Sequence, residues 1–363
     1  MFLKHRIFAL FFNFFNLFAL KNNKISFIKD SNESFNGNFK FIQEELENHE
    51  NFQFNTFFKD KFSLKAFYNL ATSKYIFLND NFFSMAFMNF KSDVLILQLW
   101  HAPGAFKKFG ASISNDVEKK MIEKISDKTD FLFVSSSKIK KYYKEAFLIN
   151  ENKIKDFGIP RTDYYFKNDL NIENIKKKFY NKYPEAKDKK IVLYAPTFRN
   201  KKENNDIFNF FELKKFNEYF GDEYIFTLRL HPKIKKFLNK DISKKNHFID
   251  LTDFENEEEL LLIADVLITD YSSIMIEFLI LNKPIIFFTY DLDYYLNEDR
   301  GFYFDFKKYA PGIITRDMDQ LIESFKNIDS ENIDNTKCLN YQFNTLDGNV
   351  SKRIVDFIVN YEG

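Results

Sequence analysis

Short, wholly apolar runs that end abruptly in polar residues recur along this chain, and that pattern restricts the fold more than any other feature. "KISFIK" (Lys24–Lys29), "KYIFLND" (Lys74–Asp80), "DVLILQLW" (Asp93–Trp100) and "DFLFVSSS" (Asp130–Ser137) fit strands buried on both faces, with amphipathic stretches such as "NFKFIQEELEN" and "KIKKYYKEAF" between them. That alternation predicts a parallel sheet covered by helices on each side. The pattern restarts with "KIVLYAPTFR", "EYIFTLRLHP", "HFIDLTD", "DVLITDYSS", the helical "SIMIEFLILN" and "KPIIFFTYD". Two doubly wound α/β halves, each resembling a Rossmann domain, are the expectation. The lysine-rich "NIENIKKKFYNKYPEAKDKK" (171–190) reads as a surface helix and the link between them. The boundaries read as 1–22, 23–170, 171–190 and 191–363, with the last helix free to pack back on the first domain.

A chain of 363 residues is long enough for two sizeable cores. Its net charge of +1 gives no basic field, which disfavours nucleic acid as a partner. The single Cys338 excludes an intrachain disulfide and a cysteine-cluster metal site. Phe is unusually abundant, at 49 residues, alongside many Lys, Asn and Ile; this points to an AT-rich genome and removes functional weight from aromatic stripes.

The N-terminus holds an apolar stretch, Ile7–Leu20, flanked by Lys4, Arg6, Lys21 and Lys24, with no acidic residue before Asp30. It is shorter than the roughly 20 apolar residues of a span and contains Asn13 and Asn16. On a helix, Arg6, Asn13 and Asn16 form a narrow polar stripe. A helix lying in the membrane interface is the expectation, with a single span or a helix buried by the rest of the fold as the other readings.

Doubly wound folds bind ligands at the carboxyl ends of their strands, and every polar cluster in this sequence falls there. There is no GxGxxG, P-loop, HExxH or GxSxG. "LQLWHAPGAFKKFG" (Leu97–Gly110) places His101 directly after a strand, where an imidazole suits a general base for a hydroxyl nucleophile. Gly104 and Gly110 permit close approach, and Lys107 and Lys108 suit phosphates; a capping His and solvated lysines are the plain alternative. In "ITDYSSIMIEF", Asp270 ends a strand and a helix begins near Ser272, so its free N–H groups together with Ser272 and Ser273 suit a phosphate, and Glu277 suits a ribose hydroxyl. An ordinary N-cap gives the same text. "RLHP" adds Arg229 and His231, "YAPTFR" adds Thr197 and Arg199, and "RGFYF" adds Arg300. Three such loops in one half suggest a nucleotide diphosphate site.

Those residues, with "FGIPRTDYY", the long run "ADVLITDYSSIMIEFLILNKPIIFFTYDLDYY", "RGFYFDF", "PG" and the late "DGNVSKR", occur in an order that spans nearly the whole chain and resembles the CDP-glycerol glycerophosphotransferase family. The resemblance implies a GT-B-type fold, two Rossmann-like domains facing a central cleft, and a peripheral enzyme at the cytoplasmic face of the membrane. It would move glycerol phosphate from CDP-glycerol to a hydroxyl of a lipid-linked saccharide or glycerol-phosphate acceptor and release CMP, in teichoic-acid-like or capsular polymer synthesis. His101 is then the base and His231 lies near the donor phosphates, with Thr197, Arg229, Ser272, Ser273, Glu277 and Arg300 lining the donor site. No cofactor or metal is implied. Trp-His-Ala-Pro-Gly-Ala is nearer the family's single-addition primases than the Trp-His-Gly-Thr-Pro of its polymerases, although Pro103 departs from the primase text. A CDP-ribitol donor, a GT-B glycosyltransferase and a non-catalytic membrane-bound saccharide-binding protein are the other readings.

Overall fold

The computed structural model describes residues 2–31, 35–49, 51–199, 207–230, 248–328 and 334–361. The chain divides into two compact units, one made of 1–167 with 341–363 and the other of 168–340.

The first unit is built on a six-stranded sheet: β1 (Lys21–Lys29), β2 (Gln53–Phe58), β3 (Ser73–Leu78), β4 (Leu95–Gln98), β5 (Phe131–Phe133) and β6 (Ile154–Lys155). Every neighbouring pair is parallel, in the order β2-β1-β3-β4-β5-β6. Successive residues feed opposite cores, as the two-residue period of a strand requires. Ile25, Phe27, Tyr75, Phe77, Leu95 and Leu97 pack on one face with the helices Asn38–Glu47 and Val350–Val359. Ile28, Ile76, Leu78 and Ile96 pack on the other with the helices Leu3–Phe15, Leu64–Ala71 and Asp116–Lys128. Burial on both faces is why these strands read as unbroken apolar runs.

The second unit repeats the plan with β7 (Lys190–Ala195), β8 (Tyr224–Leu228), β9 (Ile249–Asp250), β10 (Val266–Thr269), β11 (Ile285–Phe288) and β12 (Ile313–Thr315), again parallel, ordered β12-β11-β10-β7-β8-β9. The segment 171–190, expected as the link, contributes the helix Ile172–Lys182 to this unit, with Ile175 and Phe179 buried. "PGIIT", which reads as a turn, enters β12: a Cβ on Gly312 would lie 2.3 Å from the Ile285 carbonyl oxygen, so only glycine admits that pairing.

The last helix belongs to the first unit, and a buried carboxylate docks it. Asp163 accepts from the Val350 N–H at 2.9 Å, the Ser351 N–H at 2.7 Å and the Ser351 hydroxyl at 2.7 Å. Gly158, at φ +113°, lets Val350 pack against it; a Cβ there would meet Val350 Cγ2 at 2.5 Å. Arg353 adds two bonds to the Phe157 carbonyl, at 3.2 and 3.0 Å. Two motifs almost 190 residues apart in sequence are thus one contact.

The N-terminal helix differs from its expectation. It is Leu3–Phe15, with Phe8, Ala9 and Phe12 buried beside Phe57, Phe67, Phe82 and Met85. Its asparagines face the fold: Asn13 donates to the Phe87 carbonyl at 3.3 Å and accepts from the Asn89 N–H at 2.8 Å, and Asn16 donates to the Asn89 carbonyl at 2.6 Å. Free carbonyls in the 3₁₀ segment and the turn after it claim these amides, so the stripe that reads as solvent-facing is a seam. The side left outward is apolar, with Leu3, Leu10, Phe14 and Leu17 all more than half exposed. Among the described residues no helix is long and apolar enough to cross a membrane.

Candidate functional site

Each sheet has a point where its strand order reverses, between β1 and β3 in the first unit and between β7 and β10 in the second. Loops diverge there and leave a crevice at the strand carboxyl ends. Most of the described residues singled out from the sequence lie on the loops after these strands or their neighbours.

In the first unit, β4 ends at Gln98 and the chain turns sharply. Trp100 has φ +59°, a left-handed conformation that costs a non-glycine residue on the order of 1–3 kcal/mol. The surroundings hold it there. Its N–H donates to Gln98 Oε1 at 2.9 Å and its carbonyl accepts from Asn38 Nδ2 at 2.6 Å. The ring stacks on Phe109, with centroids 5.1 Å apart, and lies 4.0 Å from the His101 ring.

The loop beyond is tied at nearly every residue. Arg161 donates to the His101 carbonyl at 3.3 Å, and the Tyr143 hydroxyl bonds the carbonyls of Ala102 and Gly104 at 3.2 and 2.8 Å. The Gly104 N–H donates to Ser135 Oγ at 2.9 Å, and the Gln342 side chain pairs with both polar groups of the Ala105 backbone, at 2.9 and 3.0 Å. Gly110, at φ +57°, passes so close to Ala146 that a Cβ would lie 2.3 Å from its carbonyl oxygen. This answers to a loop whose shape is fixed before any ligand arrives.

His101 is exposed at the surface of this loop, and its Nδ1 lies 3.2 Å from the Asn79 carbonyl oxygen. A carbonyl only accepts, so Nδ1 carries the proton and Nε2 the lone pair. Desolvation by the surrounding protein lowers the imidazole below its ordinary value; Asp80 and the Asn79 carbonyl oppose the shift, and Lys107 and Arg161 add to it. The lowered pKa favours the neutral form that a general base requires. Lys107 and Lys108 are half-buried on the same loop.

In the second unit the charged residues expected to meet a ligand are engaged with one another. Arg199 has a fully buried side chain. Its Nε and Nη2 form a fork on Asp291, at 2.6 and 2.9 Å, and its Nη1 lies 2.8 Å from Asp270 Oδ2. Tyr271, Tyr290 and Tyr295 surround the guanidinium with ring centroids 4.9–5.5 Å from Cζ. Burial works against its charge, and the Asp270 and Asp291 carboxylates more than offset that, holding it protonated well above its ordinary range. Asp270 also accepts from the Thr197 N–H at 2.8 and 3.0 Å. This cluster braces the loops after β7, β10 and β11. Arg199 and Asp270 thus form a buried ion pair, their valences met by charge of opposite sign. Asp291, three residues after β11, completes the set; its strand-end position is the same signal that marked the others.

Arg229 is likewise committed, donating to the carbonyls of Leu251 at 3.1 Å and Phe254 at 2.8 Å, with Glu257 3.4 Å from its Nε. Four residues remain presented near the reversal point. The Thr197 hydroxyl is buried with no hydrogen-bond partner among the described residues. Ser272 and Ser273 are half-buried at the start of a helix that is shorter than expected, Ile274–Phe278. The Arg300 guanidinium lies 5.0 Å over the Phe198 ring, which brings it to the loop after β7. Glu277 is buried within the helix. His231 lies outside the described residues.

Comparison with known proteins gives the family. The family model for CDP-glycerol:poly(glycerophosphate) glycerophosphotransferase matches residues 9–360. The chain is 38% identical to the teichoic acid poly(ribitol-phosphate) polymerase of Bacillus spizizenii over 97% of its own length, and spans 59% of that protein. It is 33% identical to the teichoic acid glycerol-phosphate primase of Bacillus subtilis, over 82% of this chain and 76% of that one. In fold it is similar to the wall teichoic acid polymerase TagF, with a TM-score of 0.81 at 24% identity over 98% of this chain and 93% of that one. More distantly it is similar to UDP-GlcNAc 2-epimerase from Neisseria meningitidis, at a TM-score of 0.59 and 14% identity over 93% and 100%. With a matched region that takes in both sheets and every loop described above, the chain belongs to the CDP-glycerol:poly(glycerophosphate) glycerophosphotransferase family.

Proposed function

We propose that this protein is an enzyme that transfers glycerol phosphate from CDP-glycerol to a hydroxyl acceptor and releases CMP. The observation that carries the reading is His101: an imidazole on a braced loop after β4, with Nδ1–H held by the Asn79 carbonyl and Nε2 left as the basic atom. Nε2 takes the proton of the acceptor hydroxyl. That oxygen attacks the β-phosphorus in line, the bond to the bridging oxygen breaks, and CMP leaves with the electron pair. The donor is assigned to the second unit, where Thr197, Ser272, Ser273 and Arg300 offer hydroxyl and guanidinium donors. Positioning and charge stabilisation supply the rate.

The acceptor is read as a lipid-linked saccharide, reached by a peripheral enzyme at the cytoplasmic face of the membrane. The outward Leu3, Leu10, Phe14 and Leu17, with exposed Lys4, Arg6 and Lys21 alongside, suit a lipid surface with anionic headgroups. A second reading replaces the donor with CDP-ribitol, and the 38% identity to a poly(ribitol-phosphate) polymerase favours it.

The test is CMP release from each nucleotide in turn, with lipid-linked saccharide as acceptor and the products weighed. H101A should lose about 10²–10⁴-fold in turnover and bind the donor as before. Near-full turnover by H101A would remove His101 from the chemistry, and CMP release from neither nucleotide would remove the transferase reading.

A further inference from the structure

Across the first sheet, four adjacent strands in the order β2-β1-β3-β4 each deliver one titratable side chain beyond their carboxyl ends: Lys59, Asp30, Asp80 and His101. Lys59 is nearly buried, with 11% of its side chain exposed, and bridges the two acids, 3.0 Å from Asp30 and 3.6 Å from Asp80. Asp80 follows Asn79, whose carbonyl receives the His101 Nδ1–H. Gln98 fastens the same turn to the His101 loop, donating to the Asp80 carbonyl at 3.4 Å while accepting from the Trp100 N–H at 2.9 Å. The backbone on either side of Asp80 is therefore tied to the base, and its carboxylate accepts from the Asn81 N–H at 2.7 Å and pairs with Lys59.

We propose that Asp80 is a positioning residue that sets the basicity of His101, and that Lys59 holds and moderates the Asp80 carboxylate in that role. This deepens the reading of His101 as the base and rests on it. Taking the acceptor proton turns His101 into an imidazolium. The charges that meet it are Lys107 on its own loop and Arg161 on the segment after β6, both unfavourable, against Asp80 on the turn after β3. Asp80 is the counter-charge that opposes them and favours protonation at Nε2. Lys59, held between two carboxylates at the point where the strand order reverses, limits how far. Neither residue needs to touch substrate.

The signs are opposite and can be read separately. Removing the Asp80 charge destabilises the imidazolium, so D80N should lower the His101 pKa and move the acid limb of the kcat/KM profile down by about 0.5–1 pH unit. Removing the Lys59 charge leaves Asp80 less compensated, so K59M should move both upward, and K59R should restore the wild-type limb. The His101 titration is followed by NMR of the full-length protein labelled at histidine nitrogen, with the signal identified by its absence in H101A; CMP release gives the kinetic limb, and thermal melting checks each fold. D80N and K59M must shift the titration, in opposite directions. Any other pattern overturns the proposal. If H101A keeps its turnover, the base reading fails whatever the titrations show. If H101A is inactive and the titrations do not move, the base stands and the role of Asp80 and Lys59 is overturned.

Discussion

Arg199 and Arg300 look interchangeable in the sequence, each on a loop of the second half, yet their surroundings give them different duties. Arg199 is fully buried and neutralises two carboxylates in a fork geometry that lysine cannot copy. R199A strands Asp270 and Asp291 without a counter-ion and should cost on the order of 3–5 kcal/mol of stability, measured by denaturant unfolding; R199K should recover only part of it. S273A should behave the other way. It should weaken CDP-glycerol binding by about 1–2 kcal/mol in titration calorimetry and leave the melting temperature unchanged, because the Ser273 side chain caps nothing in the fold. That these residues sit at strand ends was legible in the sequence, since apolar runs reveal where strands stop. Which of them face inward was not, because it depends on partners such as Asp291, 92 residues from Arg199. For the same reason Gln342, whose contact with Ala105 crosses 237 residues, left no local signal.

At the scale of elements, the N-terminal helix joins a buried side to an exposed apolar side, and the two sides predict separable effects. F12A empties a site that is 1% exposed and should destabilise the first unit by about 3–5 kcal/mol. L10E with F14E changes only outward residues. It should leave the melting temperature in place and reduce co-sedimentation with anionic vesicles; unchanged sedimentation would locate lipid contact elsewhere. The helix period was plain in the sequence, but its direction was misleading. Asparagines read as the wet side turned inward, because backbone groups of a 3₁₀ segment needed partners. β2 escaped notice for a related reason. It is an edge strand, mostly half-exposed, and carries Gln53, Asn55 and Thr56 among its phenylalanines, so it lacks the continuous apolar run of the central strands.

For the whole molecule, the chain path is decisive. The second unit is one continuous stretch, 168–340, whereas the first is closed by residues from both ends of the sequence. A protein ending at residue 340 lacks Val350, Ile354, Val355 and Ile358, all at most 1% exposed and packed on the helix Asn38–Glu47. It should retain one cooperative unfolding transition from the second unit and lose the other, with the exposed sheet face driving aggregation; the segment 168–340 alone should unfold cooperatively. Calorimetry on both settles it, and two intact transitions in the shortened protein would refute the dependence. D163A in the full chain should imitate the truncation in milder form, loosening the final helix as read by amide exchange. The same path bears on biosynthesis. A ribosome releases the first sheet early, yet one of the two helices on one of its faces emerges only after the entire second unit. The first unit therefore waits for the passage of roughly 170 intervening residues, about 10–30 s at ordinary elongation rates, before the contacts that Phe39, Ile42 and Leu46 make with the final helix can form.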